Sequence, residues 1–291
     1  MAVSFDELKQ KHPCFALGAK TNNGRIHLPV SAGCNIACRF CKRDFNDHEQ
    51  RPGVSSALLT PEEAVEAVER AVRLMPDIHV VGVAGPGDTL ASPYALETFK
   101  AVNKKYPDLI SCMSTNGLLL DELADEVIEA GIDSLTVTVN AVDPEIQAEI
   151  NEYIIYHGKK IEGIEAAEIL IRNQLNGIRK VAAGGVTVKV NTVLIPEINK
   201  DHIEAVAKAV AECGASIYNI IPLLPNHELS WCTEPDCVTL GIARLQAEKH
   251  IKVFRHCQRC RADAVGIPGG KDISKQIYLR EIKVTDTFSH G

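Results

Sequence analysis

Six short, near-continuously apolar runs, each followed by a longer helical stretch, constrain this chain more than any other feature. They occupy residues 24–30, 78–83, 109–114, 134–140, 186–193 and 216–222. Strands apolar on both faces need cover on both, and parallel neighbours joined through helices provide it. Residues 94–106, 121–130, 163–175 and 202–213 carry the helical patterning between them. A further helix opens at Thr60, with Thr60 as N-cap, Pro61 in the first helical position and Glu63 completing a capping box. Its apolar face is Ala64, Ala67, Val68, Ala71 and Val72. Two α/β architectures satisfy this order, an open doubly wound sheet and a partial (β/α) barrel. In both, function gathers at the C-terminal ends of the strands. The polar tail from Pro268 is expected to lie outside the core.

Ten cysteines then demand an account. The stretch from Met1 to Cys14 holds Asp6, Glu7, Lys9, Lys11 and His12 and has no signal-peptide apolar region. No apolar run approaches the roughly 20 residues that span a bilayer. The expected setting is soluble and cytoplasmic, where disulfides are not the default. Metal ligation, redox chemistry or burial must then explain the thiols. A formal net charge of −7 gives no electrostatic reason to expect nucleic acid or an anionic membrane as partner.

Cys34, Cys38 and Cys41 stand in CxxxCxxC spacing directly after the first strand. Three thiolates in one loop can converge on one metal centre, and soft thiolates select iron–sulfur or zinc over hard cations. A [4Fe–4S] cubane held by three cysteines keeps one iron open to a small molecule. A zinc site needs a fourth ligand, from His48 or another cysteine. Phe40, just before the third cysteine, and the position after a first strand favour the cluster.

With these features the segment resembles the radical S-adenosylmethionine (SAM) superfamily. The resemblance implies a partial (β/α)6 TIM-like barrel of the radical SAM type with N- and C-terminal extensions: residues 1–23, a barrel over 24–250, and a cluster-binding segment and tail over 251–291. It implies that Cys34, Cys38 and Cys41 hold a [4Fe–4S] cluster whose open iron binds SAM. Gly85-Pro86-Gly87-Asp88 after the second strand takes the place of the loop that contacts the SAM amino group. Ser114, Thr115 and Asn116 end the third strand, Asn140 ends the fourth and Asn191 lies in the fifth. Polar residues at the mouth of apolar strands need partners, so they are candidate SAM contacts; each also suits a turn cap.

A narrower resemblance, to the NifB family that builds the carbide-containing core of the nitrogenase cofactor, spans residues 12 to about 270. It is carried by His12-Pro13-Cys14-Phe15, Arg25-Ile26-His27, Cys34-Asn35-Ile36, Glu49-Gln50-Arg51-Pro52-Gly53-Val54 and Ala84-Gly85-Pro86-Gly87-Asp88. Ser114-Thr115-Asn116-Gly117, residues 136–145 and His256-Cys257-Gln258-Arg259-Cys260-Arg261-Ala262-Asp263-Ala264 complete it. It implies a nitrogen-fixation enzyme of lyase or transferase type that fuses two [4Fe–4S] clusters and inserts a carbon from a SAM methyl. Glu49 and Arg51 join the catalytic residues on this basis. Cys257 and Cys260, with Cys14, would hold one substrate cluster, and His27 and Cys112 part of the other. CxxC supports the first pair independently. Arg255, Arg259 and Arg261 are expected to offset thiolate charge. Implied partners are a reductant such as ferredoxin or flavodoxin, an iron–sulfur cluster donor and a cofactor acceptor protein. Taken alone, Cys112 reads as a small buried hydrophobe, Cys14 as a partly exposed thiol, and His27 as a hydrogen-bonded sheet-edge residue.

The chain departs from that family in two places. Residues 44–49 lack a cysteine normally present and are one residue shorter, leaving His48 or Asp47 as the expected substitute ligand. Cys232 and Cys237 form an extra CxxxxC. A radical SAM maturase or methyltransferase with one auxiliary cluster is therefore a second reading, and a non-catalytic iron–sulfur carrier a third.

Overall fold

Strand order decides between the two architectures. The computed structural model describes residues 5–15, 22–257 and 260–278. The chain opens with α1 (Phe5–Lys11), β1 (Gly24–His27), β2 (Ile36–Cys38), β3 (Asp44–Phe45), β4 (Val54–Ser55), α2 (Pro61–Leu74) and β5 (Ile78–Val83). There follow α3 (Tyr94–Lys105), β6 (Ile110–Thr115), α4 (Ala124–Glu129), β7 (Ser134–Thr138), α5 (Pro144–Ile150), β8 (Asn151–Tyr156) and β9 (Lys159–Glu162). The last part is α6 (Gly163–Ala183), β10 (Thr187–Leu194), α7 (Ile203–Glu212), β11 (Ile217–Pro222), α8 (Cys237–Ala247), β12 (Val253–Phe254), β13 (Val265–Gly266) and α9 (Ser274–Ile277).

The main sheet runs β12-β11-β10-β7-β6-β5-β1-β13. From β1 to β12 every neighbour is parallel and follows in chain order, while β13 returns antiparallel beside β1. A doubly wound sheet reverses direction at a switch point. Here the winding never reverses, so right-handed crossovers set the helices on one face, as in a barrel. Ile26, Val81, Met113, Leu135, Val188 and Tyr218 pack toward those helices. Val80, Ile110, Ile217 and Phe254 point to the other face, where Leu8 of α1 and Phe15 cover them.

The six expected strands form to within a few residues. β1 stops earlier than its apolar pattern: Leu28 N still donates to Gly82 O at 2.7 Å, but Pro29 has no N–H with which to continue. The α2 capping box forms, with Glu63 N donating to Thr60 Oγ1 and Thr60 N to Glu63 Oε2. α6 runs on to Ala183, past the expected end at residue 175, because its polar residues are engaged inside the protein. Asn173 Nδ2 donates to Leu118 O at 2.8 Å, and Gln174 Nε2 donates to Asn116 O and Thr138 O at 2.7 and 2.8 Å. The β8–β9 hairpin, paired antiparallel with β2, was not foreseen.

The tail expectation needs correction as far as Tyr278. Ile273, Ile277 and Tyr278 are buried in the main core, the Tyr278 hydroxyl donates to His27 O, and Arg70 Nε donates to Ile277 O at 3.2 Å. The polar run before Ile273 is a turn that lets these three apolar side chains dock. Residues 279–291 lie outside the described residues.

Candidate functional site

The cysteine loop sits at the C-terminal rim of the sheet. Pairing of β2 with β8 fixes Cys38 opposite Asn151, and a turn closed by Cys41 N donating to Cys38 O at 2.9 Å folds the third cysteine back. Cys38 feels both Cys41 and Cys34, so the three thiols share one neighbourhood. Burial pushes all three up, Cys34 to about 11, while Arg43 pulls against it at each. Metal binding there must release protons. Among the described residues no three His, Cys, Asp or Glu side chains close around a single ion. That counts against a tetrahedral zinc site. A cubane takes each thiolate on a different iron, and three half-buried thiols in one neighbourhood fit it.

The Gly85-Pro86-Gly87-Asp88 segment is clamped against the approach to Cys34. Pro86 bridges Ser31, Gly87 N donates to Ser31 O at 2.6 Å, and Asp88 N donates to Gly33 O at 2.8 Å. A Cβ on Gly87 would lie 1.9 Å from Gly33 O, so only glycine allows this approach. The buried Asp88 carboxylate accepts from Thr115 Oγ1, Asn116 N and Leu90 N at 3.0, 2.5 and 3.0 Å. Burial raises its pKa against the pull of those donors. Asn116 Nδ2 reaches Asn35 Oδ1 at 2.7 Å and lies 3.8 Å from Cys34 Sγ. The Asn35 Nδ2 group is buried without a partner among the described residues. Thus Gly87, Asp88, Thr115 and Asn116 form one body with the cysteine loop, with Asp88 as its internal clamp. A cavity of about 370 Å³ opens beside it, lined among others by Gly33, Cys34, Asn35, Glu122 and Ile155.

The other expected contacts divide. Ser114 O accepts from Thr89 Oγ1 at 2.7 Å. Asn140 is turned into the sheet, where Oδ1 accepts from Val193 N at 2.9 Å. Asn191 Oδ1 accepts from Asn219 Nδ2 at 3.0 Å. Glu49 accepts from Arg51 Nε at 3.0 Å, and Arg51 also pairs with Asp44. Burial raises the Glu49 pKa, but Asn46 and Arg51 outweigh it and hold the carboxyl below its ordinary value. Arg51 and Asp44 both act on Cys41, so this ion-pair group borders the cysteine loop.

A second group lies deeper, on the sheet face covered by α1. Cys112 on β6 is flanked in register by Gly82 and Ser134. It neighbours His12 and Cys14; burial alone would raise its thiol, and His12 brings it down. Cys260 neighbours Cys14 and Cys257; burial raises it, with Arg25 and Lys189 pulling the other way. Cys14, Cys112, Cys257 and Cys260 all act on Lys189, with Cys257 exposed and the other three half-buried.

Two histidines border this group in opposite tautomers. His27 Nδ1 lies 3.0 Å from Arg261 O; a carbonyl only accepts, so Nδ1 carries the proton and Nε2 keeps its lone pair. This is the orientation of a metal-ligating histidine held by an outer carbonyl. Burial, aided by Arg25, pushes the His27 pKa down to about 3, so the ring is neutral. Gly82 leaves room for it, since a Cβ there would lie 3.0 Å from His27 Cδ2. His12 Nδ1 instead accepts from Cys14 N at 3.0 Å, which places the proton on Nε2, with the Cys112 thiol as the ring's side-chain neighbour.

Several expectations fail. His48 is 87 % exposed and pairs with Asp47, its loop folded outward as Asn46 Oδ1 accepts from His48 N and Glu49 N. Arg261 does not face the thiols. It is buried against Asp263 at 2.8 Å and donates to Glu49 O at 2.7 Å and to Asn46 O, joining the C-terminal segment to the 44–51 loop. Arg255 pairs with Glu248, and Arg259 lies outside the described residues. Cys232 packs among Ala141, Ile150 and Ile195 as a core residue, whereas Cys237 is exposed at the start of α8. The charges that do meet the cysteines, Arg43, Arg25 and Lys189, went unnoticed. Lys189 had one local signal, a lysine between two valines in a strand run.

A family model described as the radical SAM superfamily matches residues 28–210. The chain is 42 % identical over 281 residues to the FeMo cofactor biosynthesis protein NifB of Methanocaldococcus infernus, covering 96 % of this chain and 93 % of that protein. It is 43 % identical over 273 residues to the protein of the same description from Klebsiella pneumoniae, covering 91 % of this chain and 58 % of that one. Among solved structures, a radical SAM methyltransferase from Sphaerobacter thermophilus superposes with a TM-score of 0.57 at 16 % identity, over 81 % of this chain and 67 % of that one. At that identity the likeness is one of fold alone, and the fold is the partial barrel expected from the sequence.

Proposed function

The chain belongs to the radical SAM superfamily and, within it, to the NifB family, and on that premise we propose that it makes the iron–sulfur precursor of the nitrogenase cofactor. The proposed reaction joins two [4Fe–4S] substrate clusters and inserts a carbon from a SAM methyl group. The resident cluster, when bound and reduced, supplies reductive cleavage of SAM to methionine and a 5′-deoxyadenosyl radical. Cys34, Cys38 and Cys41 hold that cluster, and Arg43 offsets the charge of their thiolates. Asp88 keeps Thr115 and Asn116 at the rim, where Asn116 and the unpartnered Asn35 amide are placed to bind SAM beside Cys34. Glu49 and Arg51 border the same loop.

Substrate clusters fall to the deeper group: one to Cys14, Cys257 and Cys260, the other to Cys112 and the His27 Nε2 lone pair. Electrons come from a ferredoxin or flavodoxin, and clusters and product pass from a donor to an acceptor protein. The observation that carries this reading is that Cys14, Cys112, Cys257 and Cys260 all act on Lys189, while the three loop cysteines act on one another. Neither a carrier nor a methyltransferase reading accounts for two separate thiol groups together with the identity to NifB proteins over nearly the whole chain.

The test is anaerobic reconstitution followed by incubation with SAM labelled in its methyl carbon. Label is expected in an acid-stable iron–sulfur product, and not in the Cys34→Ala/Cys38→Ala/Cys41→Ala variant. Active SAM cleavage without label transfer would refute the proposed product.

A further inference from the structure

Lys189 is an unusual residue for its place. It lies on β10, in register between Thr136 and Ile217 in mid-sheet, and is 5 % exposed. No carboxylate of the described residues pairs with it. Its ammonium lies 5.8 Å from the Phe15 ring and 5.9 Å from the Phe254 ring. The ionisable groups that act on it most are four thiols, Cys14, Cys257, Cys112 and Cys260.

A lysine is almost never buried without a partner, because desolvating the ammonium is costly. Two aromatic faces near 6 Å return only about 0.5–2 kcal/mol each. Neutral thiols return little more. Negative charge in the space the thiols border would make the environment more favourable still. A [4Fe–4S] core bound by thiolates carries net negative charge, and a nearby cation both strengthens its binding and raises its reduction potential.

We propose that Lys189 is a charge-positioning residue for the substrate iron–sulfur cluster, its ammonium the fixed counter-ion of a cluster held by the surrounding cysteines. The inference rests on the assignment of those cysteines to a substrate cluster and adds a residue that is not a ligand. In the cluster-free protein only the thiols and the two aromatic faces answer the Lys189 charge, with no carboxylate among the described residues paired to it. Its removal should therefore weaken cluster retention without weakening the fold.

The experiment compares the reconstituted full chain with Lys189→Met, which keeps the aliphatic stem, and Lys189→Arg, which keeps the charge. Three quantities are read: iron lost to a ferrous chelator, the potential of the auxiliary cluster in an EPR-monitored titration, and melting of each cluster-free protein. Lys189→Met should lose auxiliary-cluster iron about 10–100-fold faster, with its potential shifted negative and the SAM-cluster signal unchanged. Lys189→Arg should restore the parental potential, and cluster-free Lys189→Met should melt no lower than the parent. Parental retention and potential in Lys189→Met would overturn the inference alone. So would iron loss that only tracks a lowered melting temperature, which would make Lys189 a packing residue. A parent protein that takes up no auxiliary cluster would overturn the inference together with the cysteine assignment beneath it.

Discussion

Replacing Gly87 by alanine should detach the Gly85–Asp88 segment from the strand end that leads into the cysteine loop. The new methyl would sit 1.9 Å from Gly33 O and 2.6 Å from Ala32 O, both backbone atoms that cannot swing aside. Relief requires the two segments to separate, which breaks the bonds from Gly87 N to Ser31 O and from Asp88 N to Gly33 O. Each contributes about 1 kcal/mol. Residual overpacking adds about 1–3 kcal/mol. The sum, about 3–5 kcal/mol, is a large share of the roughly 5–15 kcal/mol that holds a domain together. The assay is urea unfolding of the cluster-free protein. With an m-value near 3 kcal/mol/M, the midpoint should fall by about 1 M or more. Gly33→Ala is the matched control, since a Cβ there meets nothing within 4 Å. Equal midpoints for the two variants would refute the steric argument.

Further outcomes follow from the same geometry. The Cys257→Ala/Cys260→Ala protein should lose about four irons per chain, one cubane's content, while keeping the EPR signal of the SAM cluster; unchanged iron would return these thiols to an ordinary structural role. His48→Ala should leave iron content and label transfer at parental levels, because the ring faces solvent; a loss of either would show that the loop rearranges when clusters bind. Burial opposes ionisation of Asp263, but the Arg261 guanidinium and the Ser56 N–H and hydroxyl outweigh it and depress its pKa. A depressed carboxyl stabilises the fold above its unfolded value of about 3.9 and loses that contribution as pH falls through its folded value. Urea midpoints of the parent should therefore drop more steeply than those of Asp263→Asn below about pH 4; parallel acid limbs would contradict this.

The barrel was legible because its strands are local apolar runs and their helices are amphipathic, and the cysteine loop because its three cysteines fall within one stretch of sequence. The charged surroundings of the cysteines were not. Arg25, Lys189 and His12 meet Cys112 and Cys260 only through strand register and the packing of α1, which spacing along the chain does not encode. The same limit misplaced Arg261, whose neighbouring cysteines suggested a counter-charge although its partners are Asp263 and the 44–51 loop. His48 failed for the opposite reason: a shortened loop looked like a substitution, but Asn46 and Arg51 close it on itself. In α6, the helix extends past residue 175 while Asn173 and Gln174 donate to the carbonyls of Leu118 and Asn116, partners far away in sequence.

The two thiol groups also differ in when a growing chain can complete them. Cys34, Cys38 and Cys41 leave the ribosome together, soon after β1. The deeper group draws Cys14 from before β1, Cys112 from β6, and Cys257 and Cys260 from the segment between β12 and β13. It cannot exist until nearly all of the sheet has been synthesised and β13 has closed beside β1. Domains fold as their chain emerges, and a barrel lacking its last strands exposes the face that α1 covers. On the proposed assignment, loading of the deeper site would follow synthesis of nearly the whole chain, and a nascent chain stalled before β12 would carry only two of its four thiols.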